Sequence, residues 1–243
     1  MIRFLLLAFL YLYGVSVYCS DFGHYVGRVV AAWDPDGRTM VLTERFIYVD
    51  PNGIEWAAPV GSKIDGASIP QFAWSLIQGP YEDKFREASV IHDVACDQRT
   101  RHWRDTHHAF YTGMLASGVN AIKAKIMFAA VFHFGPRWER RVTLEAQEIS
   151  KANSIVKDIA STARKGEQTS VNIRPGPGTP QPCPNCAVPL PDLPSKTADI
   201  SVTFIPEVSE MSRNDMELLV QEIEIKELSL TAIEEFKPEK TKH

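Results

Sequence analysis

The spacing of apolar residues changes character once along this chain, near Pro70, and that change limits the fold more than any other feature. Before it, residues 25–33, 40–49 and 54–58 are short β-rich runs. Asp34-Pro35-Asp36-Gly37 and Pro51-Asn52-Gly53 separate them as turns, so a small antiparallel meander is expected. Gly66-Ala67-Ser68-Ile69-Pro70 then marks a loop ahead of a short helix holding Phe72, Trp74 and Leu76. Beyond it the apolar period becomes helical. Phe85, Ala88, Ile91 and Ala95 form one stripe within 82–98. A second helix spans 103–117 and is closed by Gly118. Asn120 caps a third, which runs through Ile122, Ile126, Ala129, Ala130 and Phe132 to Gly135-Pro136. A charged helix is expected from Trp138. Strands followed by helices give the α+β class: a small antiparallel β-meander, then a helical hairpin and further helices.

The ends read differently. Met1-Ile2-Arg3 precedes an apolar run from Phe4 to Tyr18, the pattern of a secretory signal peptide over 1–20. The run is shorter than the roughly 18–20 residues that favour a membrane span. Export to a periplasmic or extracellular space is expected, with an uncleaved N-terminal anchor as the second form. Export permits disulfides. Cys183-Pro184-Asn185-Cys186 has no second Cys pair to complete a zinc site, and reads as a local disulfide or two idle thiols. Residues 21–165 carry the apolar patterning, with 18 Lys+Arg against 17 Asp+Glu. Residues 166–198 read as a linker, because eight of the 16 Pro lie between Pro175 and Pro194. Residues 199–243 hold 11 acids against five bases and read as an acidic, partly disordered tail, with a possible protein partner for its amphipathic stretches. The whole chain has 26 Lys+Arg against 30 Asp+Glu, which removes any global argument for nucleic-acid binding.

Chemistry concentrates at Ala88-Ser89-Val90-Ile91-His92-Asp93-Val94-Ala95-Cys96-Asp97, where a His-Asp pair interrupts an apolar helical run. Adjacent helix positions diverge by about 100°. The two side chains therefore flank a cleft without facing each other, and burial there demands partners from another element. The next helix supplies Arg104, Asp105, His107 and His108. A short connection favours antiparallel neighbours, and His92 and His107 lie at similar distances from a turn near Thr100. His107 also shares a stripe with Phe110 and Met114, whereas Asp105 and His108 belong to the outer face. Two active readings follow. In one, His92 is a general base oriented by a second-helix group, His107 or Asp105, and Asp93 helps to hold Ca²⁺ with loop carbonyls. In the other, His92, Asp93 and His107 hold a Zn²⁺-like ion with an open position for water. The competing structural reading is a satisfied polar network that fixes helix pairing. Asp65 and Ser68 line the same cleft. Ser68 lacks a Gly-x-Ser-x-Gly elbow and reads as a turn or capping serine more readily than a nucleophile.

These residues carry a family resemblance. Asp65-Gly66-Ala67-Ser68-Ile69-Pro70 with Trp74 and Gly79-Pro80, then Ala88 and Ile91-His92-Asp93, open the pattern. Phe110-Tyr111, Met114, Gly118-Val119, Phe134-Gly135 and Trp138 continue it. Together they resemble the bacterial and phage family known as domain of unknown function 1353. The resemblance implies a shared small α+β domain and brings no established activity. In outline, Ala88 to Asp93 is also similar to secreted phospholipases of the His-Asp type. That resemblance implies His92 as the base and Asp93 as a Ca²⁺ ligand. Its orienting position falls on His107, not a carboxylate, with Asp105 two residues away. The Gly-rich, Cys-paired calcium loop of those enzymes is missing from the sequence.

The leading expectation is an exported metal-assisted hydrolase of an ester or amide, with a lipid, envelope or cell-wall substrate. The rival is a non-catalytic envelope or phage-associated binding module that uses the acidic tail.

Overall fold

A computed structural model describes residues 22–65, 68, 70, 72, 83–146, 149–175 and 198–237. The leader expected over 1–20, Trp74, Gly79-Pro80, the Cys183–Cys186 pair and the body of the Pro-rich stretch lie outside the described residues. The class is α+β.

Six short strands come first: β1 (His24–Val26), β2 (Ala31–Trp33), β3 (Met40–Leu42), β4 (Phe46–Val49), β5 (Glu55–Ala58) and β6 (Lys63–Ile64). They form two three-stranded antiparallel sheets, ordered β1-β4-β5 and β2-β3-β6. Each long strand expected from sequence is therefore two strands joined by a bend. Gly27 supplies one bend at φ +85°, and a Cβ there would sit 3.2 Å from the Arg45 carbonyl oxygen of the opposite strand. The bend lets one long hairpin contribute to both sheets and curl around a single apolar cluster. That cluster holds Leu42, Phe46, Tyr48, Trp56, Ala58 and Ile64.

A 3₁₀ turn (Asp83–Phe85) leads into α1 (Arg86–Gln98), followed by α2 (Trp103–Ala116) and α3 (Ala121–Phe134). Val90, Ile91 and Val94 of α1 pack into the strand cluster, while Ala88 and Cys96 point into a second core shared with α2 and α3. α1 is thus buried on two faces, so its polar mid-helix residues cannot reach bulk water. Gly113 of α2 gives way to a close neighbour: the Tyr25 hydroxyl donates to its carbonyl at 2.9 Å, and a Cβ would lie 2.8 Å from that oxygen. Asn120 caps α3 as expected, its Oδ1 accepting from Ile122 N at 2.9 Å and Lys123 N at 3.3 Å.

The structure differs from the sequence expectation after Trp138. The charged segment is a strand, β7 (Arg140–Ala146), followed by α4 (Ile149–Ala160). Residues 167–175 are no spacer, because β8 (Glu167–Pro175) pairs along its length with β9 (Ala198–Pro206), the centre of a β7-β9-β8 sheet. The reason is visible in β9. Ala198, Ile200, Val202 and Phe204 alternate inward and pack beneath α4, and both edges of the strand are hydrogen-bonded. Most of the acidic tail up to residue 237 is also ordered and docked. α5 (Arg213–Lys226) and α6 (Leu230–Glu234) set Met216, Leu219, Ile223 and Ile233 into the core around α3. Each such burial contributes roughly 1.5–3 kcal/mol. The acids turn outward to cations, as in Glu234 with Arg104 at 3.3 Å and Glu235 with Lys165 at 2.6 Å. No helix among the described residues is long and apolar enough to cross a membrane.

Candidate metal centre

Helix geometry places His92 and Cys96 on one face of α1, four residues apart, and turns Asp93 aside. α2 runs back alongside and brings His107 to the same level. His92 Nε2 lies 2.8 Å from His107 Nδ1, and Cys96 Sγ is 3.6 Å from that same Nε2. One donor atom from each of the three residues falls within 4.8 Å of the others, and all three residues are buried. Phe110 and Trp103 wall the imidazoles, with ring centroids 4.6 Å from His92 and 5.5 Å from His107.

The other side of His92 faces the loop. Ser68 Oγ lies 3.0 Å from His92 Nδ1 and also hydrogen-bonds Asp93 Oδ1. The Asp93 carboxylate further accepts from the backbone N–H of Asp65 at 3.1 Å and of Ser68 at 3.4 Å. An ionised carboxylate only accepts, so the Ser68 hydroxyl donates to Asp93 and accepts from His92 Nδ1–H. A neutral imidazole carries one proton, which leaves a lone pair on His92 Nε2, aimed at His107 and Cys96.

Burial drives both imidazoles to the neutral form, His92 down to about 3 and His107 well below its ordinary value. The neighbouring His92 ring and the Arg137 charge lower His107 further, while the Pro136 carbonyl acts on that ring as an acceptor. His107 Nε2 is buried without a hydrogen bond of good geometry. Burial, with the Asp93 charge adding, also pushes the Cys96 thiol far up. The resulting pocket is dry and neutral, with two imidazole nitrogens and one sulfur converging.

Of the residues singled out from sequence, the structure brings together His92, His107, Asp93 and Ser68, with Asp65 contributing its backbone. Asp93 faces Asp65 and Ser68, and Cys96 takes the place beside the imidazoles that the zinc reading gave to Asp93. Asp105 stands on the outer face, bonded to Arg164 at 2.8 Å, and does not orient His92. His108 also faces outward, 2.6 Å from Glu234. Cys96 was missed, although its i+4 spacing from His92 marks a shared helix face.

Residues 40–131 match the model of the family described as "Protein of unknown function (DUF1353)". This stretch of the chain is similar to that family. The matched span runs from β3 through most of α3 and contains Ser68, His92, Asp93, Cys96 and His107. Two relatives from Sinorhizobium fredii (strain NBRC 101917 / NGR234) are similar to part of this chain. The uncharacterised protein y4jT is 46% identical over 119 residues, which is 49% of this chain and 34% of that protein. The uncharacterised protein y4iH is 47% identical over 103 residues, 42% of this chain and 43% of that protein. The aligned region thus spans less than half the length of either relative. No solved structure matches the chain.

Proposed function

We propose that this DUF1353-like domain holds a transition-metal ion on His92, Cys96 and His107, and that the chain is a metal-assisted hydrolase of an ester or amide. The observation that carries the reading is the convergence of three buried N and S donors, within 4.8 Å of one another, in a pocket with no buried counter-charge among them. The 2.8 Å contact between the facing imidazole nitrogens accommodates a proton or a cation, but not two bare lone pairs. With its proton on Nε2, His107 presents its Nδ1 lone pair to the point that His92 Nε2 already faces.

Imidazole and thiolate donors favour Zn²⁺ over the Ca²⁺ of the phospholipase-like reading, which takes oxygen ligands. His92 Nε2, His107 Nδ1 and Cys96 Sγ would hold such an ion, once the two rings part to admit it. Three protein ligands would leave a fourth position open, and a bound Zn²⁺ would acidify a water admitted there. The protein's own residues do the rest. Asp93 fixes Ser68, Ser68 fixes the Nδ1 tautomer of His92, and Trp103 and Phe110 exclude bulk water from the donors. The N-terminal leader expected from the sequence supports export, so the substrate class is an extracytoplasmic ester or amide, such as an envelope lipid or cell-wall component.

The test is metal stoichiometry and affinity, followed by hydrolysis of an activated carboxylic ester with and without a chelator. One Zn²⁺ per chain is expected, with thiolate-to-metal charge transfer on Co²⁺ substitution that disappears in Cys96→Ser. A folded protein that binds neither Zn²⁺ nor Co²⁺ overturns the reading. Metal binding without chelator-sensitive hydrolysis overturns its catalytic half. Ser68 is also a test case. A loss of hydrolysis in Ser68→Ala with metal affinity unchanged identifies it as a nucleophile instead of an orienting group.

A further inference from the structure

The His92–Cys96–His107 pocket occupies the middle of the α1–α2 pair, and a different feature lies at its turn. Residues 99–102 of the turn, 138–141 at the start of β7 and 162–164 after α4 enclose a cleft of about 470 Å³. Five arginines line it, Arg99, Arg101, Arg140, Arg141 and Arg164, against two acids, Asp105 and Glu139. Arg164 is committed to Asp105 at 2.8 Å. Among the described residues, the other four arginines have no ion-pair partner.

Contacts hold three of these guanidinium groups in place, and the nearby Glu167 carboxylate offsets part of the Arg140 charge. Arg101 stacks over Trp56 at 5.1 Å and reaches the Glu55 carbonyl at 3.4 Å. Arg140 stacks over Phe204 at 3.8 Å, and its Nε is buried with no hydrogen-bond partner. Arg99 Nε donates to the Cys96 carbonyl at 3.4 Å. The Trp138 indole donates to the Arg101 carbonyl at 2.8 Å and braces the turn. A guanidinium keeps its charge at any working pH. Four unpaired ones around one concavity repel each other and raise its affinity for anions.

We propose that this cleft binds a small anion carrying at least two phosphoryl groups. Its volume falls within the roughly 300–1,000 Å³ range of small-molecule sites. Guanidinium forks match phosphate oxygens in bidentate geometry. A single carboxylate cannot balance the excess charge, whereas a diphosphate can. The lining comes from three separate segments around one cleft, on a chain whose net charge is −4. That favours a compact ligand over the extended backbone of a nucleic acid.

The probe is inorganic pyrophosphate, titrated calorimetrically into the full chain with EDTA present, so that no metal bridges the contact. Saturable one-to-one binding is expected, weakening as salt rises. Arg141→Gln and Arg101→Gln should each reduce affinity by about tenfold, and Arg38→Gln in the distant β2–β3 turn should leave it unchanged. Arg101 also packs on Trp56, so the exposed Arg141 carries the test if the Arg101 variant fails to fold. Absence of binding by the folded wild type at millimolar pyrophosphate overturns the proposal. So does equal loss in Arg38→Gln. Tighter, Arg141-dependent binding of a single-stranded oligonucleotide overturns it in favour of a nucleic-acid groove.

Discussion

The two ends of the α1–α2 pair solve opposite problems with neighbouring residues. Midway along the pair, His92, Cys96 and His107 are sealed from water and neutral. At the turn, Arg99 and Arg101 with Arg140 and Arg141 line an open cationic cleft. Titratability separates them. An imidazole pushed into a dry core releases its proton and becomes a lone-pair donor, whereas a guanidinium keeps its charge and stays at the solvent edge. Even Arg137, partly buried and lowered to about 10 by burial and the Arg104 charge, remains a cation at neutral pH. The two ends also differ in how they are assembled. The pocket uses one helical hairpin with Asp65 and Ser68. The cleft additionally needs β7 and the segment after α4, and so depends on a third sheet with its own core.

The largest effect that separates the two regions is expected from Phe204→Ala. Phe204 is fully buried in the third sheet's core, and its ring carries the Arg140 guanidinium. Truncating a buried Phe costs about 3–5 kcal/mol. The loss should fall on the third sheet as a separate early transition in urea. Pyrophosphate binding should disappear with it, while Zn²⁺ binding at His92 and His107 persists. A single transition that removes both ligands together would show that the two regions fold as one unit and would break the comparison.

Next in size are changes inside the pocket. His107→Ala removes a donor and should weaken Zn²⁺ binding by at least about 100-fold, near 2.7 kcal/mol. Ser68→Ala removes the group that orients His92 and should cost about 10–100-fold. Competition with a chromophoric chelator reads both. Equal losses in the two variants would mean that Ser68 does more than orient His92.

Much of the first region was legible because its signals are local. The period of α1, the Asn120 cap and the pairing of His92 with His107 across a short turn all follow from spacing within about 40 residues. The split of the hairpin into two sheets was not legible, because it depends on where Gly27 meets Arg45 in space. The region after Trp138 was hidden for a related reason. β7 has no distinct apolar period, and its partner β9 lies more than 50 residues away beyond a Pro-rich stretch. Composition also misled in the tail, where 11 acids outweighed a sparse apolar stripe of Met216, Leu219 and Ile223. Of the candidate site, His92, His107 and Ser68 could be read from sequence. Cys96 was weighed only for disulfides, which concealed its i+4 relation to His92.

A third buried imidazole shows whether burial alone makes these rings neutral. His133 Nε2 donates to the Ile233 carbonyl at 2.8 Å and ties α3 to α6. Burial lowers its pKa to about 4, with Arg137 and Arg104 adding to the shift and Glu234 opposing it. The unfolded chain holds this proton below about 6.5, whereas the folded protein refuses it until about 4. Between those values the unfolded state binds more protons. The contribution of His133 is therefore complete above about pH 6.5 and is lost as pH falls to about 4, an effect of about 3 kcal/mol. His133→Gln keeps a donor without titrating and should flatten that part of the stability profile. An unchanged profile would separate His133 from the rule drawn for the pocket.

The smallest effect belongs to the support that backs both ends. Asn120 Oδ1 satisfies two first-turn N–H groups of α3, at Ile122 and Lys123, and Ala in its place should cost about 1 kcal/mol. α3 contributes no donor to the His92–Cys96–His107 pocket and no lining residue to the cleft. Its cap should therefore lower global stability evenly. The urea midpoint of Asn120→Ala should fall with an unchanged slope, and Zn²⁺ and pyrophosphate affinities should stay at wild-type values. A selective loss of Zn²⁺ affinity would mean that fraying at the start of α3 reaches His107 through Phe128, Phe132 and Trp103, which pack ring to ring toward it. The pocket would then depend on three helices, and the contrast between a locally built site and a long-range one would have to be redrawn.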